Sequence, residues 1–258
     1  MRAKRRTLLV GFGAAFAGCV HLGDDGTTGT GTETGAADED TLYHVSTVDA
    51  LRCGHFSDET EMGELLENGD WGLGTVNGVN GELAVVDGEP YAVRGDGATD
   101  LLDEDVKTPF AAVTRFEPDQ TVELEDVEGF EEFGDRLRDE LPRTDHFHAL
   151  RIEGTFGFLR TRSVEEQVEP YPTLEEVIEN ERVFEFENVK GDMPTFFIPE
   201  QFERVHPPGY HAHFVTSDRD GGGHVYDFRA DSLTVEIDRL QNVRLELAER
   251  EVDEYPPC

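Results

Sequence analysis

The sequence predicts an α+β fold that is mainly β. From Val183 onward the pattern is almost entirely of strands, with candidates at 183–189, 195–198, 210–216, 224–228, 232–238 and 242–247. Each is rich in β-branched and aromatic residues or alternates apolar with polar ones. Before that point a few short helical stripes stand among further strands, as α+β folds require. No similarity recurs with a period of 20–50 residues, which sets aside solenoids and propellers.

Taken in order, Ser46 or Thr47 is placed to cap a short helix ending at Leu51. Thr60 caps a second helix, Glu61 to Glu67, which Gly69 ends. Gly72 to Val76 reads as a strand and Asn77-Gly78 as a turn. A strand at 82–86, a turn at Asp87-Gly88 and a strand at 91–94 form a hairpin unit, and 108–116 is another strand. Asp126 is placed to cap a helix whose apolar positions Val127, Phe130, Phe133, Leu137 and Leu141 make one stripe. Residues 150–161 are strand-like, and Thr173 with Glu176 forms a capping box for 174–179.

A chain of 258 residues can bury a real core as one large domain or two small ones. The net charge is −35, which would repel a nucleic acid. A hydrophobic content of 37% with regular strand patterns sets aside a disordered acidic protein. A folded protein with so dense a carboxylate surface suits high salt, where the Debye length falls to about 3 Å at 1 M. The acidity is therefore read as halophilic adaptation.

Residues 1–19 read as a signal peptide. Met1 to Arg6 is basic, and the apolar run from Leu8 to Cys19 is too short to span a bilayer. Arg5-Arg6-Thr-Leu-Leu resembles a twin-arginine export signal, and Ala17-Gly18-Cys19 the end of a lipobox. The expected product is exported and held on the outer face of the cell membrane by a lipid on Cys19. Residues 20–40 read as a flexible acidic Gly/Thr linker. Of the remaining cysteines, Cys53 is expected as a small buried residue, with a bridge to Cys258 left open.

The candidate chemistry lies at Gly209-Tyr-His-Ala-His-Phe-Val-Thr216 and His224. His211 and His213 share one face of a strand. The Gly-rich run 217–223 reads as a hairpin connection that brings His224 beside them. Three converging imidazoles suit zinc with one position left open, and three neutral ligands leave the ion its full charge for an anionic substrate. A His-x-His pair alone is more often a surface or satisfied core pair; the third histidine distinguishes this cluster. His146-Phe147-His148 has the same spacing without a third partner, and His21, His44, His55 and His206 receive no role. No P-loop, dinucleotide fingerprint or nucleophile elbow is present.

The chain resembles the α-acetolactate decarboxylases from about Leu42 to Leu247. The resemblance rests on Leu42-Tyr-His-Val-Ser-Thr47, Gly63-Glu-Leu-Leu66, Gly69-Asp-Trp-Gly-Leu-Gly-Thr75, Gly81-Glu-Leu83, Thr108-Pro-Phe-Ala111, Arg160-Thr-Arg162, Pro170-Tyr-Pro172, and Gly209-Tyr-His-Ala-His-Phe214 with Gly222-Gly-His-Val225. Their common order makes a specific signal, here of a haloarchaeal-type, exported, lipoprotein-like member. It implies a domain at 41–258 of two α/β subdomains, about 41–165 and 166–258. One is a mixed-sheet portion and the other smaller and β-barrel-like, with the metal site between them. It implies zinc-dependent decarboxylation of 2-acetolactate to acetoin and carbon dioxide through a metal-stabilised enediolate. By resemblance His211, His213 and His224 are the zinc ligands. Arg162 holds the substrate carboxylate or the charge of the transition state, Glu82 delivers the proton, and Thr75 lies near the site. The family's second glutamate, in the C-terminal tail, has Glu251 and Glu254 as candidates here.

Two rival functions share the histidine pattern: a cupin-like metal-dependent oxygenase, and a non-catalytic metal-binding surface lipoprotein. Cupins usually add a glutamate soon after the histidine pair, and Phe214 to Asp220 contains none. The expected partners are the small anionic substrate, no nucleic acid, a membrane only through Cys19, and a second copy of the chain as a candidate homodimer.

Overall fold

The structure is a computed structural model that describes residues 40–247. The leader, most of the linker, Cys19, Glu251, Glu254 and Cys258 lie outside the described residues. In chain order the elements begin with β1 (Thr41–Val45), α1 (Val48–Arg52), α2 (Met62–Asn68), β2 (Trp71–Thr75), β3 (Glu82–Val86), β4 (Glu89–Val93), β5 (Thr99–Leu101) and β6 (Phe110–Thr114). They continue with β7 (Gln120–Val127), α3 (Phe130–Arg138), β8 (Phe147–Ser163), α4 (Leu174–Ile178), β9 (Arg182–Val189), β10 (Gly191–Ile198), β11 (Gly209–Thr216), β12 (Gly222–Leu240) and β13 (Asn242–Glu246).

The strands form two sheets. The first has the order β13-β1-β6-β2-β3-β4-β5 and is mixed, because β1 and β13 run parallel while its other pairs are antiparallel. The second has the order β7-β12-β11-β10-β8-β9, and β12 also pairs with β8. Strands β8, β10, β11 and β12 thus pair in a ring. The chain passes from one sheet to the other between Thr114 and Gln120, earlier than residue 165, and returns only with β13.

Two cores account for this arrangement. Phe133 and Leu137 of α3 pack with Phe156, Phe214 and Phe228 of the second sheet. Between the sheets, Trp71, Leu73 and Ala84 meet Ala149, Phe196 and Val215. Each large side chain so buried contributes about 1.5–3 kcal/mol. The Trp71 indole N–H also donates to the Leu150 carbonyl at 3.0 Å, which fixes how the sheets face each other.

Several expectations hold closely. Thr47 caps α1 through a hydrogen bond from the Ala50 N–H, the 82–86 strand is found with those bounds, and the Thr173–Glu176 capping box is formed. Others need correction. Asp126 does not cap a helix; it lies in β7 with φ 52°, and α3 begins after Gly129. Val127 still packs beside Phe133 and Leu137, so the stripe mixed a strand residue with helical ones. Pairing of β7 along β12 decided that segment. Thr60 does not cap α2: its hydroxyl donates to Asp58, and Glu61 occupies the cap position without a side-chain bond. Gly69 follows α2 in extended rather than left-handed backbone, with φ −175°. The strands expected at 224–228 and 232–238 are one strand, since Arg229 to Leu233 forms register irregularities instead of a turn. Strands β1, β5 and β7 were not expected. Cys53 is only half-buried and is disulfide-bonded.

Candidate metal centre

The site sits where β3 of the first sheet meets β8, β11 and β12 of the second. His213 on β11 is in register with His224 on β12, and His224 is in register with Arg162 on β8. Three site side chains therefore form one cross-strand row. His211 joins them from two residues earlier on β11. The hairpin needs glycine at its return: Gly223 has φ 123°, and a Cβ there would stand 2.3 Å from the Arg162 carbonyl oxygen.

Three ring nitrogens converge. His224 Nδ1 lies 3.2 Å from His211 Nε2 and 3.3 Å from His213 Nε2, and the three histidines offer atoms all within 4.8 Å of one another. Two nitrogens bound at about 2.05 Å to one tetrahedral ion stand about 3.3 Å apart, so both spacings from His224 suit a metal of zinc's size. Burial, helped by the nearby Arg162 guanidinium, holds all three rings below the usual imidazole range; at His213 the Glu82 carboxylate opposes part of the shift. Neutral rings are what metal binding requires. His213 Nδ1 donates to the Leu83 carbonyl at 2.7 Å, which leaves its Nε2 lone pair for the centre.

Glu82 begins β3, one residue before that carbonyl. Its Oε1 accepts from the Arg162 guanidinium and its Oε2 lies 3.2 Å from His213 Nε2. Arg162 Nε is 3.6 Å from Glu181, which also accepts from the Tyr226 hydroxyl at 2.5 Å. Thr75 faces Glu82 in register and lines the same pocket, but its hydroxyl donates to the Gly81 carbonyl at 2.7 Å. It holds the approach to Glu82. The pocket has a volume of about 310 Å³, with apolar walls from Val48, Leu51, Val79, Phe110, Val164 and Ile178. It suits a small anion with short alkyl groups.

All six expected site residues thus line one pocket. The His146-x-His148 pair lies elsewhere: His148 is buried in the second sheet on β8 and His146 pairs with Asp145. Four residues around the centre were missed. Glu181 and Tyr226 buttress Arg162, while His44 and His206 stand behind His211. For His206 the signal was available, since it lies five residues before His211 in a histidine-dense stretch. For His44, at the far end of the chain, none was.

Fold and pocket together define a two-sheet protein with a buried three-histidine centre beside an Arg–Glu pair. Residues 42–255 match the family model described as alpha-acetolactate decarboxylase. The alpha-acetolactate decarboxylase of Methanosarcina mazei is 38% identical over 208 residues, covering 81% of this chain and 72% of the relative. The crystal structure of alpha-acetolactate decarboxylase from Bacillus subtilis strain 168 superposes with a TM-score of 0.79 at 35% identity, covering 81% of this chain and 90% of that one. A Staphylococcus aureus protein of unknown function similar to alpha-acetolactate decarboxylase superposes with a TM-score of 0.78 at 29% identity, over 80% and 89% of the chains. The chain belongs to the alpha-acetolactate decarboxylase family and is a carboxy-lyase.

Proposed function

We propose that the protein converts 2-acetolactate to acetoin and carbon dioxide with zinc held by His211, His213 and His224. The observation that carries this is the convergence of three neutral ring nitrogens beside the Glu82–Arg162 pair in a small, mostly apolar pocket. Bound zinc would supply Lewis acidity toward the ketone and hydroxyl oxygens of the substrate.

The chain's own groups divide the remaining work. The Arg162 guanidinium holds the substrate carboxylate and orients the breaking bond toward the ketone π system. Loss of carbon dioxide leaves the bonding pair on the ketone side as an enediolate. The Glu82 carboxylate, once it has taken a proton from water, gives it to the carbon that lost the carboxylate; acetoin results and the carboxylate is restored to its pairing with Arg162. The apolar walls exclude water while charge develops. We extend the proposal to location: the twin-arginine-like leader exports the folded chain and Cys19 carries the lipid. The acidic surface keeps the protein soluble in high salt.

The test is acetoin formation by purified protein in high salt, before and after chelation, with elemental analysis of the metal. Zinc with chelator-sensitive turnover supports the proposal. Iron with oxygen consumption favours a cupin-like oxygenase, and tight metal uptake without turnover favours a binding lipoprotein.

A further inference from the structure

Behind the metal-facing ring of His211 stand two imidazoles that the proposed chemistry does not use. His206 Nε2 lies 2.6 Å from His211 Nδ1, and His206 Nδ1 lies 2.8 Å from His44 Nε2. His44 Nδ1 in turn lies 3.1 Å from the Ser46 carbonyl oxygen. His44 and His206 are both 0% exposed. Phe110 packs against both rings, at 5.1 Å and 5.3 Å between centroids, and Phe196 packs against His206.

The direction of this chain is set at one end. A carbonyl oxygen only accepts, so the proton of His44 resides on Nδ1 and its Nε2 carries a lone pair. That lone pair accepts from His206 Nδ1–H, which leaves His206 Nε2 as the acceptor for His211 Nδ1–H. A neutral imidazole carries one N–H, so each step dictates the next. Burial, which holds His44 down to about 4, keeps the first ring neutral. The last step leaves His211 Nε2 with a free lone pair, turned toward His224 at 3.2 Å. The opposite tautomer would put a proton where the metal must bind.

We infer that His44 and His206 are positioning residues that set the tautomer and ring orientation of the metal ligand His211 from the backbone at the end of β1. The inference rests on the metal centre proposed above. Ligand histidines commonly lean on a carboxylate, carbonyl or water directly, as His213 does on the Leu83 carbonyl. His211 Nδ1 instead meets His206, and two imidazoles link it to the Ser46 carbonyl. Both ligands on β11 are thus oriented by main-chain carbonyls of the first sheet and its flank, Leu83 for one and Ser46 for the other.

The test measures zinc affinity by competition with a chromophoric chelator in high salt, on the full chain. Nitrogen-15 spectra of the histidines are recorded on the metal-free protein. His206→Leu should weaken zinc binding about 10–100-fold. His206→Gln should recover most of that loss, because its amide oxygen can accept from His211 while its NH2 donates to His44. His44→Leu should also weaken binding, since His206 loses the acceptor that orders it. The spectra should show the proton on Nδ1 of His44, His206 and His211. Unchanged affinity in His206→Leu and His44→Leu, with zinc lost from His213→Ala, overturns the relay alone. A wild-type chain that binds no zinc overturns the centre and the relay's role together. Should His206→Leu not fold, the unaltered chain decides: an Nε2 proton on His206 or His211 refutes the relay, and Nδ1 protons support it.

Discussion

Glu82 Oε1 accepts a hydrogen bond from Arg162 Nη1 across the seam between the two sheets, with side chains only 7% and 11% exposed. Each charge depends on the other, because taking one away leaves its partner buried and unpaired. Arg162→Ala should therefore cost about 3–5 kcal/mol of stability as well as activity. Arg162→Lys should regain part of the stability and little turnover, since an ammonium cannot copy the planar two-donor fork. Loss of one charge-assisted contact in a dry site lowers the rate about a hundredfold or more. Melting temperature and kcat/KM, measured together, separate the two effects; wild-type turnover in Arg162→Lys would remove the fork from the mechanism.

Glu82→Gln keeps the side chain's size and one acceptor oxygen for Arg162. It should retain zinc, slow turnover, and release acetoin of mixed handedness, because the carbon would take its proton from water. Chiral chromatography reads the product. An unchanged rate with a single enantiomer would send the search for the proton donor to Glu251 and Glu254.

Each of His211→Ala, His213→Ala and His224→Ala should lose most bound zinc and essentially all decarboxylation, because two imidazoles do not hold the ion in a closed geometry. His146→Ala and His148→Ala should keep the metal, as neither side chain lies at the centre. Elemental analysis after dialysis checks this, and stoichiometric zinc in His213→Ala would mean that the centre is misplaced.

Folding should need salt. With a net charge of −35, carboxylate repulsion is unscreened in dilute buffer. Circular dichroism melts from about 0.1 M to about 3 M potassium chloride should show a rising Tm as screening shortens the Debye length. A flat curve would contradict the halophilic assignment.

Acid should destabilise the fold over a defined window. Burial holds His44 and His148 at about 4, so the folded state stays neutral while the unfolded chain takes up protons below about 6.5. Their contribution is complete above that value and is lost as the pH falls toward 4, on the order of 3 kcal/mol for a fully buried ring. Asp238 works in the opposite sense. Its carboxyl group is raised to about 7 by burial, so it costs stability as the pH climbs from its ordinary 3.8 through 7. The histidines outnumber it, and Tm should be higher at pH 7 than at pH 4.5. Asp238→Asn, which keeps an acceptor for the Glu117 N–H at 3.1 Å, should raise Tm more at pH 7.5 than at pH 4.5. Equal shifts at the two values would show that Asp238 does not titrate in this range.

The amino-acid sequence by itself determined most of the strands from Gly72 onward, the β3–β4 hairpin unit, the capping of α1 and α4, and the pairing of His211 and His213 with His224. Those features depend on neighbours close along the chain: a two-residue period, a cap three residues from its partner, a Gly-rich turn. Only the tertiary structure decided which sheet each strand joins. β1, near the start of the folded part, lies parallel to β13 at its end, and no local pattern specifies a contact across some two hundred residues of chain. The same reason explains why Asp126 became a strand residue and why His44 arrived behind His211. Burial chose between a polar residue's local bonding and its distant partner. At the centre it brought Glu82 and Leu83 from one sheet against His213 of the other, and so made a metal-facing nitrogen out of one histidine among nine.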